Sequence, residues 1–277
     1  QFDQFGNAVA LDGNTALVGI QLDDEKGFNA GAAQLYTRNS SGQWTATKRL
    51  YASDAASDDQ FGHAVAVLGD WALVAANFRD DNGINSGAVY VFGRNNGGVG
   101  QWGQVAKLQA DDASSNQNFG AALDFDGRFA LVGANLDDAQ AANAGAAYVF
   151  DAQSNWAQVA KLTAPDGAAD DDFGAAVAVA AGEFAVVGAS AHDGQGDQAG
   201  AAYLYRRAVD GTWSLVKKLT SSATAAGDRF GWSVALDGNT AVVGAPRNDY
   251  RTPNGGVAYV FGRNIGGSNN WGAGSRL

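Results

Sequence analysis

The stretch that decides the fold runs from residue 230 to residue 246: Phe230-Gly231-Trp232-Ser233-Val234-Ala235-Leu236-Asp237-Gly238-Asn239-Thr240-Ala241-Val242-Val243-Gly244-Ala245-Pro246. Two apolar runs flank Asp237-Gly238-Asn239. Asp-Gly between such runs marks a tight hairpin, because glycine accepts the positive φ that two-residue turns need. The run before the turn is a strand that opens on Phe-Gly. The run after it is almost wholly apolar, which predicts a strand buried on both faces.

The same text recurs along the chain. Phe-Gly stands at Phe5-Gly6, Phe61-Gly62, Phe119-Gly120, Phe173-Gly174 and Phe230-Gly231, at intervals of 56, 58, 54 and 57 residues. A tryptophan follows each of these by 37 to 41 residues, at Trp44, Trp102, Trp156, Trp213 and Trp271. A basic-Leu pair closes each unit, as in Lys161-Leu162. A third strand is predicted at residues 145–150 and a fourth at 156–162, where strict alternation puts Trp156 and Leu162 on one face. The units are 1–56, 57–114, 115–168, 169–225 and 226–277, read as a single domain over 1–277.

Four antiparallel strands per unit, repeated without a helical segment, predict an all-β protein: a β-propeller with five blades of four antiparallel strands each. A lone blade cannot bury both of its faces, so its neighbours must flank it. Five units are expected to close into a ring. Units and blades run in phase, so closure would rest on packing between the first and last blades, or on a neighbouring chain.

Composition agrees. At 277 residues the chain is long enough for a sizeable core. No apolar run reaches the ~18 residues that suggest a membrane span. The net charge of −11 disfavours nucleic acid and anionic lipid as partners. Only Glu25 and Glu183 are glutamates, and the other acids are aspartates, which prefer turns. With 38 glycines this describes many short strands joined by turns. Cysteine is absent, which excludes disulfides, thiolate zinc sites and thiol catalysis. Methionine is absent too, and a chain without easily oxidised side chains suits an extracellular setting. The start, Gln1-Phe2-Asp3, has no leader pattern and no initiator Met, as expected of a processed chain or a piece of a longer one.

Catalysis finds little support. His63 and His192 are the only histidines and lie in different units. Nearly every aspartate occupies a repeated position, whereas an active site should break the repeat. No enzyme is expected; a glycoside hydrolase with two carboxylates about 5 to 10 Å apart is the catalytic alternative. Asp210-Gly211-Thr212-Trp213 echoes an Asp-box and is read as a turn.

Three loops carry paired acids: Asp23-Asp24, Asp80-Asp81 and Asp137-Asp138. The loop around Asp80, Asp81 and Asn85 has enough oxygens, with Gly83 for tight folding, to hold calcium, the one candidate cofactor. Turn capping accounts for the same residues and is the preferred reading. Asp3, Asp59, Asp171 and Asp228 stand two residues before Phe, with Gln117 in the third unit. They are expected to bond the backbone at the blade-to-blade corner; convergence on an axial ion is the alternative. The aligned tryptophans are expected to fill the space between blades, with stacking on sugars as the alternative. Trp71 and Trp232 fall outside the pattern and are candidates for a surface ligand contact.

The pattern complete from Phe230 to Pro246 resembles the FG-GAP repeat, which builds the propeller of integrin α-subunits and of many bacterial surface proteins. The likeness is to the bacterial version, with its aromatic-x-Arg after strand three (Tyr36-Thr37-Arg38, Phe92-Gly93-Arg94, Phe261-Gly262-Arg263). The resemblance implies a secreted or cell-surface module for adhesion or assembly, contacting other proteins or copies of itself, with glycans as the alternative ligand. Two departures stand out. The calcium loop of integrin-type repeats has shrunk here to Asp12-Gly13-Asn14 and its equivalents, so those calcium residues do not carry over. The integrin ring also has seven repeats, against five here.

Overall fold

A computed structural model describes residues 3–138 and 140–277. The first sheet is formed by β1 (Phe5–Asp12), β2 (Thr15–Ile20), β3 (Ala32–Arg38) and β4 (Trp44–Leu50). The second holds β5 (Phe61–Leu68), β6 (Trp71–Ala76), β7 (Ala88–Gly93) and β8 (Gly103–Leu108). In the third are β9 (Phe119–Phe125), β10 (Phe129–Ala134), β11 (Ala146–Asp151) and β12 (Ala157–Leu162). The fourth comprises β13 (Phe173–Ala180), β14 (Phe184–Ala189), β15 (Ala201–Arg207) and β16 (Trp213–Leu219). The fifth comprises β17 (Ser233–Asp237), β18 (Thr240–Ala245), β19 (Val257–Gly262) and β20 (Gly272–Arg276). Each sheet is an antiparallel meander in chain order. The five blades of four strands are therefore as the repeats predict, and each blade comes from one unit.

The Asp-Gly turns act as expected: Asp12 pairs with Thr15, and Asp237 with Thr240, across two-residue loops. The opening strands then pack in series, β1 on β5, β5 on β9, β9 on β13 and β13 on β17. The glycine of each Phe-Gly pair lets backbones meet. At Gly174 (φ +98°) an added Cβ would lie 2.3 Å from the Ala146 carbonyl oxygen of the preceding sheet.

One feature of register departs from expectation. Every pairing of third with fourth strand contains a shift, such as that between Val149 and Phe150 opposite Ala160 and Gln158. The extra residue is a β-bulge, and it turns the side chains beyond it to the other face. Trp156 and Leu162 therefore do not share a face. Trp156 packs toward the second sheet with Leu73 and Val89, and Leu162 packs toward the fourth with Phe173.

The expected closure into a ring is not found. β10 and β14 are buried along their whole length, and β6 everywhere but at Trp71, as a doubly covered strand must be. β2 and β18 instead alternate between buried and part-exposed residues. No packing comparable to that between neighbouring blades joins β17 to β1 among the described residues. Phe5, Val9 and Leu11 are 59%, 71% and 67% exposed, whereas their equivalents Phe61, Val65 and Val67 are buried. Among the described residues the five blades pack in series without closure, and the first and last sheets each have one uncovered face.

Candidate functional site

Two kinds of candidate are built by the fold: polar clusters at the inner junctions, and the bare end faces. In the clusters, a linker aspartate meets a tyrosine of the third strand and a lysine of the fourth. Asp54 accepts from the Tyr90 hydroxyl at 2.8 Å and Lys107 Nζ at 2.6 Å. Asp112 does so with Tyr148 and Lys161, and Asp166 with Tyr203 and Lys218. Burial pushes these carboxyls upward, but the Lys and Tyr hydrogen bonds outweigh it and hold all three below the ordinary range. The phenols of Tyr90, Tyr148 and Tyr203 are raised well above theirs, first by burial and then by their aspartate partners.

A phenol with a raised folded-state pKa contributes stability that is complete below its unfolded value and lost above it. Tyr51 and Tyr205 shift in the same direction. The melting temperature is therefore expected to fall as the pH rises above about 10. Phenolate absorbance from these five should appear only as the chain unfolds; ionisation in the still-folded protein would contradict the clusters.

The paired acids of the loops divide into two jobs. The capping member accepts from the backbone N–H five residues on: Asp24 from Asn29, Asp80 from Asn85 and Asp138 from Asn143, each at 2.7 Å. Asp193 and Asp249 repeat this with Gln198 and Asn254. The receiving residues Asn29, Asn85 and Asn143 have φ near +50° (50°, 54° and 52°), so the cap holds a left-handed corner. The other member pairs with cations. Asp23 pairs with Arg49, Asp81 with Arg79 and Lys107, and Asp137 with Lys161, Tyr148 and Gln117.

We propose that these residues cap turns and pair with cations and do not hold calcium. Their oxygens face N–H groups and cations, and among the described residues no three His, Asp or Glu side chains gather as a metal site would. Calcium is expected to leave the melting temperature unchanged and to give no heat in calorimetry. A saturable heat, lost in Asp80→Ala, would overturn this.

Of the residues before Phe, Asp59, Gln117, Asp171 and Asp228 bond the linker backbone, whereas Asp3 Oδ1 is buried without a hydrogen-bond partner among the described residues. Asp59 accepts from Ala56 N at 2.7 Å, Asp171 from Ala168 N and Asp228 from Ala225 N, both at 2.8 Å. Gln117 does the same for Ser114 N. They are spread over separate junctions and do not converge on an axis.

The aligned tryptophans lie between blades wherever a preceding blade exists. Trp102, Trp156 and Trp271 are buried, and Trp213 is half-buried. Trp44, in the first sheet, is 41% exposed. Trp71, a candidate ligand contact, is instead packed against Trp156 with ring centroids 5.3 Å apart. Phe129 with Trp213, and Phe184 with Trp271, repeat that contact. Trp232 is 53% exposed and borders a cavity of about 310 Å³ with Asn135, Asp172, Ala175 and Ser190.

The end faces were not singled out from the sequence. At one end lie Phe5, Val9, Leu11 and Trp44, exposed, with the Phe5 ring against Tyr36. At the other, Ala235, Asp237, Thr240 and Val242 line a shallow recess, and Leu277 is exposed nearby. The repeat did carry a signal: these are the positions that fill the inner junctions.

A family model described as FG-GAP repeat matches residues 1–36, 44–92, 102–150, 156–205 and 213–261. Comparison with curated proteins gives no match.

Proposed function

The chain belongs to the FG-GAP repeat family, and from that premise we propose that it is a non-catalytic, extracellular structural or adhesive module that works by contact with other proteins. The observation that carries this reading is the FG-GAP repeat matched five times along the chain, each repeat folded as one four-stranded blade. The polar clusters point away from chemistry, since each carboxylate in them is engaged by a cation, a phenol or an N–H group.

The test immobilises the chain and presents purified surface and matrix proteins, a glycan array and chromogenic glycosides. Saturable binding to at least one protein of the panel, with no glycoside turnover, is expected. Turnover of any glycoside, or binding confined to glycans, would overturn the reading.

A second reading, glycan binding, is favoured by the Trp232 cavity. An exposed indole beside Asp172, Asn135 and Ser190 offers a stacking face together with hydroxyl-binding oxygens. Loss of array hits in Trp232→Ala would support it.

A further inference from the structure

We propose that the chain holds one site for a single neutral sugar ring, set in the gap that Ser190 leaves in a ladder of polar side chains, with Trp232 as its stacking wall. This rests on the glycan reading and names the ligand class, the number of sites and the residues that create the opening.

The ladder runs across blades two, three and four. Asn77 Nδ2 donates to Asn118 Oδ1 at 2.8 Å, Asn118 Nδ2 to Asn135 Oδ1 at 2.7 Å, and Asn135 Nδ2 to Asp172 Oδ1 at 3.4 Å. Its rungs come from two repeat positions in turn. Asn77 and Asn135 directly follow β6 and β10, the second strands of their blades. Asn118 and Asp172 each precede a Phe-Gly pair, with the backbone left-handed at φ 58° and 59°. The rung after Asp172 is Ser190, directly after β14.

At Ser190 the series breaks. A hydroxyl replaces the longer amide, and no hydrogen bond joins it to another described residue, although Ser190 is only 2% exposed. A buried hydroxyl without a partner is costly, and this one lines the cavity of about 310 Å³ with Asn135, Asp172, Ala175 and Trp232. Trp232 breaks the repeat a second time. The residue after Phe-Gly is His63, Ala121 and Ala175 in units two, three and four, and an indole in unit five. Asn135, Asp172, Ala175 and Ser190 all belong to blades that have a neighbour on either side. One change of residue opens the cavity, and the other walls it.

The polar groups select the ligand. Asp172 accepts, Ser190 both donates and accepts, and Asn135 Oδ1 has a second lone pair. The hydroxyls of a sugar match that mixed set, and the C–H face of its ring matches the indole. Burial raises the Asp172 carboxyl above its usual range, while Asn135 and Arg229 oppose the rise. Arg229 also stands 5.8 Å from the Trp232 ring, so the cation of the site is already built in and a neutral ligand fits. An acidic sugar would meet the Asp172 carboxylate. The volume is at the small end of the roughly 300–1,000 Å³ of ligand pockets, which is room for one ring.

The test is calorimetry and saturation-transfer NMR on the intact chain. The probes are methyl α-glucoside, methyl α-mannoside and methyl β-galactoside, with methyl β-glucuronide and tetramethylammonium as charged controls. At least one neutral glycoside is expected to bind, at one site per chain and with a millimolar Kd, and neither control should. Ser190→Asn restores the amide that units two and three carry. It and Trp232→Ala are each expected to weaken binding roughly tenfold or more. Thermal melts confirm that both fold, and Trp232→Phe, which keeps a ring wall, should still bind. Silence from every neutral glycoside, binding of a charged control in their place, or binding that Ser190→Asn leaves intact would overturn the site. Array hits lost in Trp232→Ala but kept in Ser190→Asn would sink the single-ring site and leave the glycan reading standing. A silent array removes both.

Discussion

Gly174→Ala is expected to cost about 4 kcal/mol or more of stability, a large part of the roughly 5–15 kcal/mol typical of a folded domain. Two independent causes add. The backbone at Gly174 sits at φ +98°, where a Cβ costs about 1–3 kcal/mol. The added carbon would also lie 2.3 Å from the Ala146 carbonyl oxygen and 3.2 Å from the Ala134 nitrogen. Both are backbone atoms of the neighbouring sheet, so relief requires two blades to part. Gly6 holds the same place in the first repeat, at φ +88°, with nothing within 4 Å of its Cβ position. Gly6→Ala is therefore expected to cost only the conformational part, about 1–2 kcal/mol. Urea unfolding of the two variants measures the difference, and equal losses would mean that the first blade has a neighbour after all.

The second large effect uses the phenylalanine of the same pair. Phe173 is fully buried, with Tyr203 and Tyr205 at 5.5 and 6.3 Å between ring centroids. Phe173→Ala removes a ring from a closed junction and is expected to cost about 3–5 kcal/mol. Phe5 is 59% exposed, and among the described residues its ring meets one other aromatic ring, that of Tyr36. Phe5→Ala should stay within about 0.5 kcal/mol in dilute solution. Two chemically identical substitutions at equivalent places thus differ by several kcal/mol, purely from the position of the blade in the series. A comparable loss in both would sink the open arrangement.

Much of the fold was legible because turn chemistry and strand burial leave local marks. Asp237-Gly238 states its hairpin, and the apolar run of β10 states its double burial. Period and strand count follow from these. The facing of Trp156 was not legible, since the bulge opposite Phe150 costs one residue and leaves no signature residue behind. Nor was the missing closure. The turn from one blade to the next depends on how closely backbones approach at positions such as Gly174, and no side-chain pattern encodes the resulting angle. The paired acids left two readings open for a chemical reason: a carboxylate that caps a turn and one that binds calcium stand in the same kind of loop. What separated them was distant in sequence, Lys107 for Asp81 and Lys161 for Asp137. The recurrence of Tyr90, Tyr148 and Tyr203 in step with those lysines was the available clue. The end faces were equally visible as repeat positions, but exposure is a property of neighbours and belongs to no single residue.

An arc without a seam has a mechanical freedom that a hoop lacks. In a hoop, tilting any blade must be compensated around the whole circumference, so small tilts are suppressed. Among the described residues the blades are joined in series, so tilts at successive junctions add instead of cancelling.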